Sequence, residues 1–213
     1  INRSTEDEIG LFEETYSGAS IGNLSLKRSE VIGYMKTGGL VGYNNGRITN
    51  CEFEGFVKGY NYVGGLTGIN SDNLIDNCTV RANITGQYHI GGVSGRGPHG
   101  DFENCSFDGA VRGYERIGGL LGEGSYTTVS NCTARGIVVG SNSAVGGLIG
   151  NIWQGGVYNS CSFCVVEGLY SVGGLIGQNY VEVRNSYSIS IVRGENGVGG
   201  LMGGNDGEVV GCY

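Results

Sequence analysis

The chain has 213 residues, 44 of them glycine and one proline, with a formal net charge of -7 at pH 7. The acidic balance argues against nucleic acid as a partner, and no apolar run approaches the ~18 residues of a membrane span, so no membrane insertion by this segment is expected. Glycine does not fall at every third position, which excludes a collagen-type triple helix, and singly scattered apolar residues give no helical period.

Taken in chain order, Ile9-Gly10-Leu11 is a worn copy of a marker first seen whole at Gly38-Gly39-Leu40. The marker returns at Gly64-Gly65-Leu66, Gly91-Gly92-Val93, Gly118-Gly119-Leu120, Gly146-Gly147-Leu148, Gly173-Gly174-Leu175 and Gly199-Gly200-Leu201, at spacings of 26, 27, 27, 28, 27 and 26 residues. A fixed period in this range marks a stack of similar units, each burying its apolar face against its neighbours. Eight coils are expected, the first degenerate. Residues 1–30 form an N-terminal cap with that first coil, and residues 31–213 form the repeat solenoid, truncated mid-coil. The start at Ile1 and the stop at Tyr213, directly after a marker, point to a segment of a longer solenoid.

Halfway between the glycine markers runs a second register: Asn50-Cys51, Asn77-Cys78, Asn104-Cys105 and Asn131-Cys132, then Ser160-Cys161, Asn185-Ser186 and Gly211-Cys212. After each Cys the residues alternate as in a half-buried strand. The second slot holds Leu26, Phe53, Val80, Phe107, Ala134 and Phe163, and the sixth holds Val57, Ile84, Val111, Val138 and Val192. Around the glycine pair, Val63 and Leu66 stand three apart, so a bend or bulge at Gly64-Gly65 must turn both inward. Polar segments such as Ser71-Asp72-Asn73 and Trp153-Gln154-Gly155-Gly156 read as loops. The expected fold is an all-β parallel β-solenoid, right-handed as parallel connections usually are.

The Asn column, Asn50, Asn77, Asn104 and Asn131, suits an inner bend, where carboxamides pass hydrogen bonds up the stack. Buried there, the Asn-X-Ser/Thr sequences at Asn77, Asn104 and Asn131 would escape glycosylation. Cys51, Cys78, Cys105, Cys132 and Cys161 fall in one column, where in-register Cβ atoms ~4.8 Å apart lie beyond disulfide reach. They read as buried free thiols. Strand parity turns Cys161 inward and Cys164 outward, which disfavours a redox or zinc role for the Cys-x-x-Cys spacing.

Catalytic constellations are scarce: two histidines, His89 and His99, and turn acids at differing places in the repeat. No cofactor or metal is expected. Glu167, Glu182 and Glu195 are the nearest candidates for polysaccharide cleavage, and a solvated charged surface accounts for them more simply. Glu54, Arg81, Asp108 and Arg135 alternate in sign on four successive coils, as in-register neighbours should. Tyr34, Tyr60, Tyr62, Tyr88, Tyr114 and Tyr170 follow the glycine that closes each Cys strand and should line one edge. That edge suits recognition of a glycan or protein; the plainer reading, and the favoured one, is that the rings simply cover turn backbone and stack on one another.

Units such as Val63-Gly64-Gly65-Leu66-Thr67-Gly68, with Ile75-x-Asn77-Cys78 and Gly109-Ala110-Val111-Arg112-Gly113, resemble the GLUG repeat over roughly residues 9–213. The resemblance implies a stalk or adhesin-like module of a bacterial secreted or surface protein and supplies no catalytic residues. The function expected is therefore a non-enzymatic structural and interaction module, extracellular or at the cell surface. Its partners would be a host glycan or protein, or other copies of itself. Two readings stay open beside it, a solenoid that stacks end to end into a filament and a carbohydrate-active β-helix enzyme.

Overall fold

The computed structural model describes residues 1–213 as a parallel β-solenoid of three sheets without a helix. Sheet I holds the strands after the Cys markers, from Ser25–Ile32 through Glu52–Lys58, Thr79–Thr85, Ser106–Gly113, Thr133–Gly140 and Cys161–Glu167 to Tyr187–Ser188 and Ile191–Arg193. Sheet II holds seven four-residue strands that end at a marker glycine, Met35–Gly38 the first and Asn196–Gly199 the last. Sheet III follows the glycine pairs, as in Val41–Asn44, Thr67–Asn70, Leu121–Ser130 and Ile149–Tyr158.

Equivalent residues pair from coil to coil: Val80 lies between Phe53 and Phe107, and Ile90 between Val63 and Ile117. Seven turns run through all three sheets. The eighth, degenerate coil is partial: Phe12–Thr15 and Ser20–Gly22 join sheet III, while bridges at Asn2 and Ile9 are its contacts with sheets I and II. A single cluster of 40 buried residues runs along the axis, with Phe53, Phe102 and Phe107 its largest members.

The glycine pair makes a corner between sheets II and III, where a bulge was one expectation. Val63 and Leu66 are both buried on either side of it. Stacked coils approach so closely there that a Cβ on Gly92 would overlap the Gly119 carbonyl oxygen and the Phe107 ring. Trp153, expected in a loop, lies inside the ten-residue strand Ile149–Tyr158, because the stacked strand Leu121–Ser130 supplies ladder partners through this stretch.

Two columns differ from the sequence reading. The Asn residues lie on the outside: Asn50, Asn77, Asn104 and Asn131 are exposed, with φ between 50 and 53°. Asn is the side chain other than Gly best suited to that left-handed conformation, and Gly211, equivalent by its place before Cys212, takes φ 64°. The carboxamides bond in part along the column, Asn77 Nδ2 to Asn50 Oδ1 at 2.7 Å, but Asn104 turns to Asp76. Burial therefore does not shield the three Asn-X-Ser/Thr sequences. The buried ladder stands at another corner, where Asn44 Nδ2 donates to Asn70 Oδ1 at 2.6 Å and Asn179 Nδ2 to Asn205 Oδ1 at 2.8 Å.

Cys161 is the second difference. It pairs with Thr133, so Ser160 continues the column of Cys51, Cys78, Cys105 and Cys132. Cys161 is consequently half-buried on the outer face, and Phe163 faces out, 4.3 Å below the Arg135 guanidinium. Ser162 and Cys164 fill the core side instead. All seven cysteines are free. Within the column each side chain donates to the carbonyl two residues before it, as Cys78 does to Asp76 and Ser160 to Tyr158. Where it also accepts a backbone N–H from the preceding coil, as Ser160 does from Cys132, thiol and hydroxyl serve alike.

Candidate ligand-binding groove

A groove forms where the outer faces of sheets II and III meet. Its first wall is the second residue of the first six sheet II strands, Lys36, Tyr62, His89, Arg116, Ala144 and Ser171, all with φ between 50 and 58°. Such a residue breaks the two-residue alternation, and Tyr62, His89 and Arg116 make contacts on the sheet III side. The facing wall is one register column of sheet III: Tyr43, Ile69, Arg96, Glu123, Asn151 and Gln178.

Glu123 is the centre of this groove and is 4% exposed. Its Oε1 accepts from Arg96 Nε at 3.0 Å and its Oε2 from Arg116 Nη1 at 2.9 Å, with His89 Nε2 3.5 Å away. His89 Nδ1 lies 2.9 Å from Asn61 Oδ1, and His89 Nε2 lies 2.9 Å from Arg116 Nη1. With its proton on Nδ1 for Asn61, the ring accepts from Arg116; doubly protonated, it donates to Glu123. Tyr62 stacks on the His89 ring at 4.8 Å and Arg96 lies over Tyr62. Burial alone would raise the Glu123 carboxyl. The hydrogen bond and charge of His89 and the charges of Arg116 and Arg96 outweigh it and hold the group at about 2.

Beyond Glu123 the groove opens into a cavity of about 460 Å³, lined by Arg116, Glu123, Asn151, Trp153, Gln154 and Tyr180. Trp153, the chain's one tryptophan, is 46% exposed and Tyr180 44%. The buried Asn151 Oδ1 has no hydrogen-bond donor within the chain.

The tyrosines named from the sequence divide between two surfaces. Tyr34, Tyr60, Tyr88 and Tyr114 form one continuous stack, with ring centroids 5.3, 6.1 and 5.5 Å apart in succession. Tyr62 belongs to the groove, and Tyr170 stands apart, beyond a coil that carries Ser141-Asn142-Ser143 in place of aromatics. Glu167 and Glu182 lie on different sheets, each against an arginine, Arg193 at 2.7 Å and Arg184 at 2.5 Å, and Glu195 is exposed in a turn. Arg81 stands in register between Glu54 and Asp108 but pairs with Glu52.

With this geometry in place, comparison with known proteins finds GLUG-motif repeats in the chain: the family model described as "The GLUG motif" matches residues 33–57, 59–85 and 113–139. It is similar to Halomucin of Haloquadratum walsbyi, 38% identical over 76 residues. That stretch is 35% of this chain and 1% of Halomucin's length, so the chain spans only a small part of this relative. No solved structure matches it.

Proposed function

We propose that this chain is a rigid, non-enzymatic module of a secreted or surface protein, which separates other parts of that protein and presents a binding face. The observation that carries the reading is the parallel strand ladder that runs through seven turns around one continuous core, with a register shift in sheet I only between Leu26 and Ser29 of the first turn. A repeat stacked on its neighbours in this way resists bending at every interface. The GLUG repeats and the similarity to Halomucin support placement outside the cell. A non-catalytic role also fits Glu123, which the adjoining cations keep ionised and engaged at neutral pH, so that it offers no proton to a reacting group.

Solution scattering and sedimentation test the structural half. We expect a monomeric particle with an axial length of roughly 30 to 40 Å, from about 4.8 Å per turn. Particles that lengthen end to end with concentration would favour the filament instead. A screen of polysaccharides for released reducing ends should stay silent; hydrolysis would displace the non-enzymatic reading.

A further inference from the structure

We propose that the cavity beside Trp153 binds a neutral saccharide unit, an inference that rests on the interaction-module reading above. Three features converge. The first is aromatic: Trp153 and Tyr180, from successive coils, line the same cavity and leave almost half of their surface to solvent. Neither ring is needed by the core here, which Ile152, Val157, Val181 and Val183 already fill. Flat rings with polar edges suit the C–H faces of a pyranose, whose hydroxyls then point to the cavity rim.

The second is the unpaired amide. Asn151 is set into the wall, and its buried Oδ1 lacks a donor. A carboxamide offers two donors and one acceptor, the set that vicinal sugar hydroxyls can meet. An acceptor left unpaired is unfavourable, and a turn of the carboxamide toward the cavity that Asn151 lines would let a ligand hydroxyl remove that penalty.

The third is charge. Arg96 and Arg116 are both engaged by Glu123, and Arg116 also lies 3.6 Å from Glu115. Both guanidinium charges are thus already met by carboxylates, which disfavours a carboxylate, sulfate or phosphate ligand. Sugar oxygens can still accept from the guanidinium N–H groups that Glu123 leaves open, since Arg116 is 38% exposed in its side chain. At about 460 Å³ the cavity lies within the range of small-molecule sites.

The single tryptophan makes the test direct, because all indole fluorescence reports this cavity. Neutral tetrasaccharides of glucose, mannose, galactose and N-acetylglucosamine are titrated into the intact chain, with tetragalacturonate as the charged comparator. We expect a saturable emission change with at least one neutral probe and weaker binding of tetragalacturonate. Asn151→Ala, which keeps the reporter, should weaken that probe about tenfold, the worth of about one hydrogen bond. Trp153→Ala, followed by calorimetry, should abolish binding while leaving the melting temperature near the parent's. Absence of any saturable change with the neutral probes, or tighter binding of tetragalacturonate, overturns the proposal. Should a neutral probe bind the parent and both variants equally by calorimetry, the site lies elsewhere; the cavity assignment then fails while the interaction-module reading stands.

Discussion

Arg116 and Glu123 meet at 2.9 Å across the corner that Gly118 and Gly119 form between sheets II and III. The glycine marker that defines the repeat thus also brings the groove's charges together. The depressed Glu123 pKa has a signed consequence. Because the folded value of about 2 lies below the ordinary 4.5, its stabilisation is fully present above about pH 4.5 and is lost as the pH falls through about 2.

Glu123→Gln should therefore destabilise the chain by about 1 to 3 kcal/mol at pH 7, below the full penalty of a broken buried pair because both arginines reach solvent. The deficit should shrink as the pH approaches 2, where the parent carboxylate is itself protonated. Urea unfolding at pH 7 and at pH 3 checks this; a deficit independent of pH would show that Glu123 acts by packing alone.

The cysteines give a prediction opposite to that from strand parity alone. Cys161 is half-buried on the outer face, whereas Cys78, Cys105 and Cys164 are buried. Hydrogen bonding with Cys105 and burial push the Cys78 thiol up to about 12, and burial raises Cys164. Few reactive thiolates exist at such sites. An alkylating probe followed by peptide mass spectrometry should modify Cys161 well before Cys78, Cys105 or Cys164. Early modification of Cys164 would restore the reversed facing.

The repeat length, the parallel stacking and most of the core were legible because glycine and apolar slots recur at one period. The slip at Cys161 came from following a residue type instead of a position. Cys132 to Ser160 is 28 residues, the same as Gly118 to Gly146, and Asn159-Ser160 keeps the Asn with φ 50°. The column needs a small group that donates to the carbonyl two residues back, so Ser replaces Cys freely. The groove was illegible for another reason. His89 and Arg116 depart from strand alternation through left-handed φ, and their partner Glu123 lies on a different sheet. One signal was available: Lys36, Tyr62, His89 and Arg116 all stand two residues before the marker glycine pair.

Left-handed backbone, and not a buried ladder, should govern mutations in the Asn column. Asn104→Gly keeps φ 52° accessible, while Asn104→Ala places a Cβ residue in that conformation and should be less stable than the Gly variant by about 1 kcal/mol. Asn70→Ala, by contrast, removes a buried partner of Asn44 and should cost about 1 to 3 kcal/mol. Thermal and urea unfolding of the three variants decide it, and an Asn104→Ala effect as large as that of Asn70→Ala, with no rescue by Gly, would contradict this assignment.

Corner glycines should differ sharply by position. At Gly92 an added methyl meets backbone of the next coil and the Phe107 ring, neither of which can move without opening the stack. At Gly200 nothing lies within 4 Å. Gly92→Ala should cost about 3 kcal/mol or more through overpacking, and Gly200→Ala should stay within about 0.5 kcal/mol. Comparable melting temperatures for the two would mean that coils at the corner are farther apart than described.

The tyrosine edge provides the last prediction, because it separates a structural surface from a binding one. Tyr60 stacks on Tyr34 and meets Tyr88 edge-on, and Tyr88 in turn meets Tyr114. Rings that already satisfy one another across four coils offer a ligand less than the unpaired amide and open rings at Trp153. Replacing Tyr60, Tyr88 and Tyr114 with Ser removes three ring contacts, each worth about 0.5 to 1.5 kcal/mol. The triple variant should therefore melt measurably below the parent and bind the neutral tetrasaccharides as the parent does. A variant that keeps the parent's melting temperature but loses saccharide binding would move the binding face to this edge, since hot-spot aromatics contribute to recognition without holding the fold.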